Sequence, residues 1–214
     1  MKLKNYFITV GIFFAIALLF SVVQDKLSFH LFLNRLHCPA TDFFFKYTTH
    51  LGDGIVGVLA LPLLLFSVSV RKLCLGLLTC LLSAVFVQFL KRVVFSDYLR
   101  PAALIDNADL HLVSGVSMYT LHSFPSGHTT FAFAFFTFLA FAFQQNKKLQ
   151  IGIAVMAIVV SYSRVYLSQH FLQDVAAGCL LGVVSFLVAY WIYKTIKRYI
   201  PNILLTINFR QVTA

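Results

Sequence analysis

At 214 residues the chain is long enough for one domain and hardly two, and it reads as a single domain over 1–214. Sixty per cent is hydrophobic and only 11% charged, against about 25% charged in soluble domains. That excludes an ordinary soluble protein and predicts an all-α integral membrane protein. The net charge of +10 raises nucleic acid as a partner, but the placement of the charges along the chain argues against it.

Apolar runs at about Tyr6–Val23, Ile55–Val70, Leu73–Leu90, Thr129–Phe143, Ile151–Ser168 and Val175–Tyr193 predict a bundle of six transmembrane helices. The first run has the basic start of a signal peptide in Lys2 and Lys4. No small-x-small cleavage site precedes Gln24, so an uncleaved helix is the better reading. In residues 24–54, Leu27, Phe29, Leu31, Phe32, Leu36, Phe43 and Phe44 alternate with polar residues. This suits either an amphipathic segment on the membrane surface or a plain loop. Gly52-Asp53-Gly54 punctuates the start of the next span. Cys38, Cys74, Cys80 and Cys179 have no paired spacing and predict neither a disulfide framework nor a zinc site. The phenylalanines of FAFAFFTFLAFAF read as lipid-facing or core filler. Gly178 and Gly182 form a G-x-x-x-G that permits close helix packing within the bundle; it says nothing firm about oligomeric state. Residues 199–214 read as a short cytoplasmic tail.

With both ends placed inside, Lys2, Lys4, Arg71, Lys72, Lys147, Lys148, Lys194, Lys197, Arg198 and Arg210 all fall on the inner face. The outer face receives all seven Asp, all seven His and the other seven basic residues. The chain has no Glu, so the inner face carries +10 and the outer face is about neutral. This is the positive-inside pattern, and it explains the basicity without nucleic acid. The same topology puts three polar stretches at the outer ends of the last four helices, where a bundle would bring them together.

Lys91, Arg92 and Arg100 stand just beyond a span. Alone they read as snorkelling cations, yet they lie on the face where topology does not need them. Pro125-Ser126-Gly127-His128 precedes an apolar helix. It reads either as helix punctuation or as an anion site, with free N–H groups, a glycine that admits close approach, and His128 as a proton donor. In Ser163–Asp174, Arg164 offers a planar fork for phosphate oxygens. His170 and Asp174 are spaced i, i+4: either a structural pair, or a nucleophile and the carboxylate that orients it. Together these groups fit phosphoryl transfer through a phosphohistidine. They lack the carboxylate cluster of two-metal hydrolysis, so no cofactor is expected. His111 and His122, with His128 and His170, match no zinc spacing. Asp97, Asp106 and Asp109 read as a solvated loop that could border the pocket mouth.

The motif order resembles the type 2 phosphatidic acid phosphatase (PAP2) family, whose pattern is K-x6-R-P, P-S-G-H and S-R-x5-H-x3-D. Residues 125–128 match the second motif and Ser163, Arg164, His170 and Asp174 match the third in full. The first keeps Arg100-Pro101, but Val93 occupies the lysine position, and Lys91 and Arg92 come two and one residues early. The resemblance implies that His170 attacks phosphorus, Asp174 supports it and His128 protonates the leaving group. It implies that Lys91 (or Arg92), Arg100, Ser126, Gly127 and Arg164 hold the phosphate, without metal. Six spans point to the membrane lipid phosphatases of the family, and the compact chain to its bacterial members. The expected partner is a lipid phosphate in the bilayer, met at the outer face of a bacterial inner membrane. Undecaprenyl diphosphate or lipid A phosphate is favoured; phosphatidylglycerophosphate, phosphatidic acid and transfer to a second lipid are alternatives. An anion transporter is the reading from a different class, and it would want polar groups at the bilayer midplane.

Overall fold

The computed structural model describes residues 1–196; the tail expected at 199–214, with Lys197, Arg198 and Arg210, lies outside the described residues. Every regular element among them is helical. In order these are α1 (Lys4–Val23), α2 (Lys26–Asn34), α3 (Pro39–Thr48), α4 (Gly54–Ala60), α5 (Val70–Phe89), α6 (Pro101–Leu104), α7 (Gly127–Ala142), α8 (Lys147–Tyr166) and α9 (Leu172–Ile196). Tight 3-10 turns follow α3 (Thr49–Gly52) and α4 (Pro62–Phe66), and a π-helical turn (Leu90–Val94) extends α5.

Four helices are long and apolar enough to cross a membrane: α1, α5 with its π-turn, α8 and α9. At 1.5 Å per residue, the 20 residues of α8 span about 30 Å, the thickness of a bilayer's hydrocarbon. A fifth span arises if Pro39–Gly52 and Gly54–Phe66, bent by 66° at their junction, count as one. On that count the second span would extend the expected Ile55–Val70 back through residues 39–52, which the sequence pattern read as either a surface segment or a loop. The break has local causes. A Cβ on Gly52 would stand 2.8 Å from Val160 Cγ1 and 3.1 Å from the His128 carbonyl oxygen, so only glycine lets the chain pass. Asp53 then caps α4 by accepting from the Ile55 amide at 2.9 Å. Pro62 stands at the start of the second 3-10 turn. Of the amphipathic segment, both α2 and α3 keep a two-sided character. Helix α3 leaves Phe43, Phe44 and Tyr47 exposed and half-buries Phe45. Helix α2 buries His30 and Asn34 and leaves Phe32 exposed.

The 16-residue α7 is shorter than the others and lies at the centre, packed against α5, α8 and α9. Its phenylalanines are core rather than lipid-facing: Phe133 and Phe138 are fully buried. The closest packing is with α9. A Cβ on Gly178 would lie 2.8 Å from the Ser126 carbonyl oxygen, and one on Gly182 would overlap the Thr130 carbonyl oxygen. The G-x-x-x-G thus serves packing inside the bundle, where two backbones touch. Across the bundle Tyr6 of α1 bonds Thr137 of α7 at 2.8 Å. Lys72 donates to the Ala142 carbonyl at 3.2 Å and the Lys2 amide to Gln144 Oε1 at 2.9 Å. These bonds draw the lysine-rich termini of α1, α5, α7 and α8 to one end, opposite the three motifs.

Gly182→Ala is expected to lower stability by about 1–3 kcal/mol through overpacking. Gly11→Ala, where no atom lies within 4 Å of the added carbon, should be neutral or slightly stabilising. Thermal unfolding of the two variants in one detergent separates these outcomes.

Candidate active site

The turn between α8 and α9 carries His170. Two amides close it: those of Gln169 and His170 both donate to the Arg164 carbonyl, at 2.9 and 3.1 Å. Ser168 takes a left-handed conformation there, with φ of 52°, which is costly for a residue with a side chain. The side chains of α2 hold it in place. Asn34 Nδ2 donates to Ser168 Oγ at 3.1 Å, and His30 Nε2 contacts the same oxygen at 3.1 Å. His170 therefore precedes α9 rather than lying in a helix. It still meets Asp174, because Asp174 folds back in the first turn of α9 to accept from the Phe171 amide at 3.1 Å.

His170 Nδ1 donates to Asp174 Oδ2 at 3.4 Å, and the Ser123 hydroxyl donates to the same oxygen. A proton held on Nδ1 leaves Nε2 as the free, nucleophilic nitrogen. Burial pushes the His170 pKa well below its ordinary value, and the nearby charges of Arg100, Lys91, Arg164 and His128 push it further the same way. Both effects favour the neutral imidazole.

His170 lines a cavity of about 380 Å³ with Lys91, Arg100, Tyr119, Gly127, His128 and Arg164, among others. Ser126 is the N-cap of α7, and its amide donates to the Asp174 carbonyl at 3.0 Å, which locks the second stretch onto the third. The first turn of α7 carries Gly127 and His128, whose amides have no partner within the helix. Arg100 follows an extended segment whose amides pair with residues 120–123: Arg100 N with the Thr120 carbonyl and Ser123 N with that of Tyr98. Its guanidinium donates to the carbonyls of Leu121 (2.9 Å) and Gln169 (3.2 Å), and it lies 5.3 Å from the Tyr119 ring centre. Arg164 is buried and donates to Thr49 Oγ1 at 2.7 Å.

The structure separates Lys91 from Arg92. The π-turn is closed by the Phe95 amide on the Leu90 carbonyl at 2.8 Å, one residue wider than an α-turn. It presents Lys91 to the cavity, where its Nζ lies 3.8 Å from where a Cβ on Gly127 would be. Arg92 does not line the cavity. Its Nε donates at 3.0 Å to Oε1 of Gln88, which is itself a lining residue, so Arg92 stands one side chain behind the cavity wall.

Other sequence candidates lie elsewhere. His111 pairs with Asp42 at 2.9 Å and stacks on His37 at 3.6 Å, while His122 is exposed. Among the described residues no three His, Cys, Asp or Glu gather as a metal site, and the four cysteines are free. Asp97 accepts from Ser96 and Asp106 from the Ala108 amide, both away from the cavity. Four contributors escaped the sequence reading: Thr49, Tyr119, Ser123 and Gln169. Ser123 at least stands two residues before the Pro-Ser-Gly-His run; the other three act only through contacts that the fold creates.

A family model described as the PAP2 superfamily matches residues 71–198. Phosphatidylglycerophosphatase B of Bacillus subtilis (strain 168) is 35% identical over 85 residues, 36% of this chain and 42% of that protein. Bacitracin transport permease protein BcrC of Bacillus licheniformis is 44% identical over 70 residues, 33% of either chain. Putative undecaprenyl-diphosphatase YbjG of Escherichia coli (strain K12) is 39% identical over 74 residues, 34% of this chain and 35% of that one. The matched segments thus span less than half of the length of these relatives. The crystal structure of Aquifex aeolicus LpxE superposes with a TM-score of 0.68 and 27% identity, covering 78% of this chain and 94% of that one.

Two outcomes are expected from the cavity. Lys91→Ala should weaken inorganic phosphate binding to the detergent-solubilised chain roughly 10- to 100-fold, the scale of one charge-assisted hydrogen bond, with Arg92→Ala close to unchanged. Equal losses in calorimetric titration would count against the placement of Lys91. In the ligand-free protein, the His170 ring should show no titration near pH 6.5, because burial and neighbouring cations both oppose protonation. Histidine-labelled NMR spectra, with the His170 signal assigned through His170→Asn, would reveal a contrary titration.

Proposed function

The chain belongs to the PAP2 superfamily, and from that premise we propose that it is an integral membrane phosphatase that hydrolyses a lipid phosphate or diphosphate through a phosphohistidine. The observation that carries this reading is the His170 ring, in contact with Asp174, in a cavity that also presents Lys91, Arg100 and Arg164.

In the proposed reaction, the three cations and the amides of Gly127 and His128 neutralise the phosphate oxygens. His170 Nε2 gives its electron pair to phosphorus as the bond to the lipid oxygen breaks. His128, whose protonation the charge of the bound phosphate favours against burial and the neighbouring cations, delivers its proton to that oxygen, and the lipid alcohol or monophosphate leaves. Asp174 keeps the Nδ1 proton in place and stabilises the charge that develops on the ring. Water then attacks phosphorus, the N–P bond breaks, and His128 takes the proton from water. Orthophosphate departs and His170 is neutral again.

A lipid substrate is supported by what adjoins the cavity. A second, almost wholly apolar groove of about 410 Å³ runs between α4 and α5 and shares Gly54, Ala84 and Phe131 with the phosphate cavity. Six spans are supported if α7 and the bent pair each cross the bilayer. Both termini then lie in the cytoplasm and the cavity faces outward, as the lysine-rich end indicates. The names of the relatives favour undecaprenyl diphosphate or phosphatidylglycerophosphate, and the membrane we propose is a bacterial inner membrane. Lipid A phosphate, phosphatidic acid and transfer of the phosphate to a second lipid remain the outcomes that a substrate panel distinguishes. One relative is named a transport permease, but fully buried Phe133, Phe138 and Phe186 fill the bundle between its two ends, which disfavours a polar path for ions.

The deciding measurement is phosphate release from a panel of purified lipid phosphates in detergent. At least one should be turned over, in the presence of a chelator, and His170→Ala should lower that turnover by at least about 10³-fold. Full activity in His170→Ala, or loss in the chelator reversed by a divalent metal, would sink the proposed mechanism.

A further inference from the structure

Gln169 precedes the proposed nucleophile, is 1% exposed, and fills the last variable position of the third motif, where the pattern specifies no residue. Its side chain stands between the two arginines of the cavity. Oε1 accepts from Arg100 at 3.4 Å and from Arg164 at 3.5 Å. On its other side Nε2 donates to the Ser117 carbonyl at 3.1 Å and to Met118 Sδ at 3.2 Å. Acceptors on one side and donors on the other fix the amide's orientation. The backbone carbonyl of the same residue takes a further bond from Arg100 at 3.2 Å. One residue therefore joins an arginine from the chain before α6, an arginine from the end of α8, and the connection between α6 and α7.

The charge of these acceptors matters as much as their position. Among the described residues, Arg100 donates to the carbonyls of Leu121 and Gln169 and to Gln169 Oε1, and Arg164 to Thr49 Oγ1 and Gln169 Oε1. All of these oxygens are neutral. Two guanidinium groups repel each other, and a carboxylate between them would relieve that repulsion best. It would also occupy the charge that an incoming oxyanion needs. We propose that Gln169 is a positioning residue that spaces the Arg100 and Arg164 guanidinium groups with a neutral acceptor, so that their charge is kept for the substrate phosphate. This rests on the reading of the cavity as a phosphate site.

The test separates holding the arginines from merely packing beside them. Orthovanadate is titrated onto the purified full chain in detergent, and the thermal midpoint is measured without the anion. Gln169→Glu should lose at least about 10-fold in orthovanadate affinity, while its anion-free midpoint stays level with the unsubstituted protein or rises, because two new ion pairs form. Gln169→Met, which fills the space but neither accepts nor donates, should lose less affinity than Gln169→Glu and show a lower midpoint. A purely structural role would move affinity and midpoint downward together in Gln169→Glu, and that result overturns the proposal. So does a Gln169→Glu chain that fails to fold, or one that binds orthovanadate like the unsubstituted protein. If the unsubstituted protein itself binds no orthovanadate, the phosphate reading of the cavity falls and takes this inference with it.

Discussion

Asp174 is buried in the first turn of α9, and its Oδ2 accepts from the His170 ring, the Ser123 hydroxyl and the Phe171 amide. Its backbone carbonyl takes the Ser126 amide. The α8–α9 turn, the residues before α7 and the start of α9 are thus tied to one residue. A buried carboxylate without partners would be costly; among the described residues Oδ2 of this one has three donors, while Oδ1 has none. The dependence is mutual: without the Asp174 side chain the Nδ1 proton of His170 has no fixed place and the Ser123 hydroxyl loses its acceptor. The rest of the bundle serves to bring these parts within reach, through the glycine contacts of α7 with α9 and the bonds of α2 to Ser168.

The sequence was most legible where chemistry depends on residues close in the chain. Ser126-Gly127-His128 and the run from Arg164 to Asp174 each keep their spacing in one turn or helix start, so residue order alone locates them. Lys91 was harder, because its contact with the cavity depends on the π-turn, and no composition signal marks an i to i+5 bond. The i, i+4 spacing of His170 and Asp174 led to the right contact by a different geometry, since His170 precedes the helix. The bend before the second expected span was not legible for a physical reason as well. Hydropathy reports the apolar run from Ile55 onward, but the break at Gly52 arises from the approach of Val160 and His128, which lie far along the chain. Gln169 and Thr49 carry no local signature at all; their importance is their place between or beside arginines that only folding brings near.

The cavity also shows how a bundle end tolerates three cations in a partly buried space. Lys91, Arg100 and Arg164 line it, and backbone carbonyls, a hydroxyl and an amide spread the desolvation cost of the arginines over many weak acceptors. The one nearby carboxylate in direct contact with the machinery is engaged by His170. The result is a strongly cationic site whose field, together with burial, opposes protonation of His170.

The shortness of α7 has a consequence for where a reaction takes place. Its end at Ala142 is level with the start of α8, joined by the brief connection of residues 143–146, yet it has 16 residues where α8 has 20. At 1.5 Å per residue it stops about 6 Å short of the far end of α8. Gly127 and His128 therefore sit below the level of the far end of α8. Under the proposed function, a headgroup that reaches them would descend from the polar boundary and shed water on the way, so the depth of the site would itself weigh against bulky, strongly hydrated headgroups.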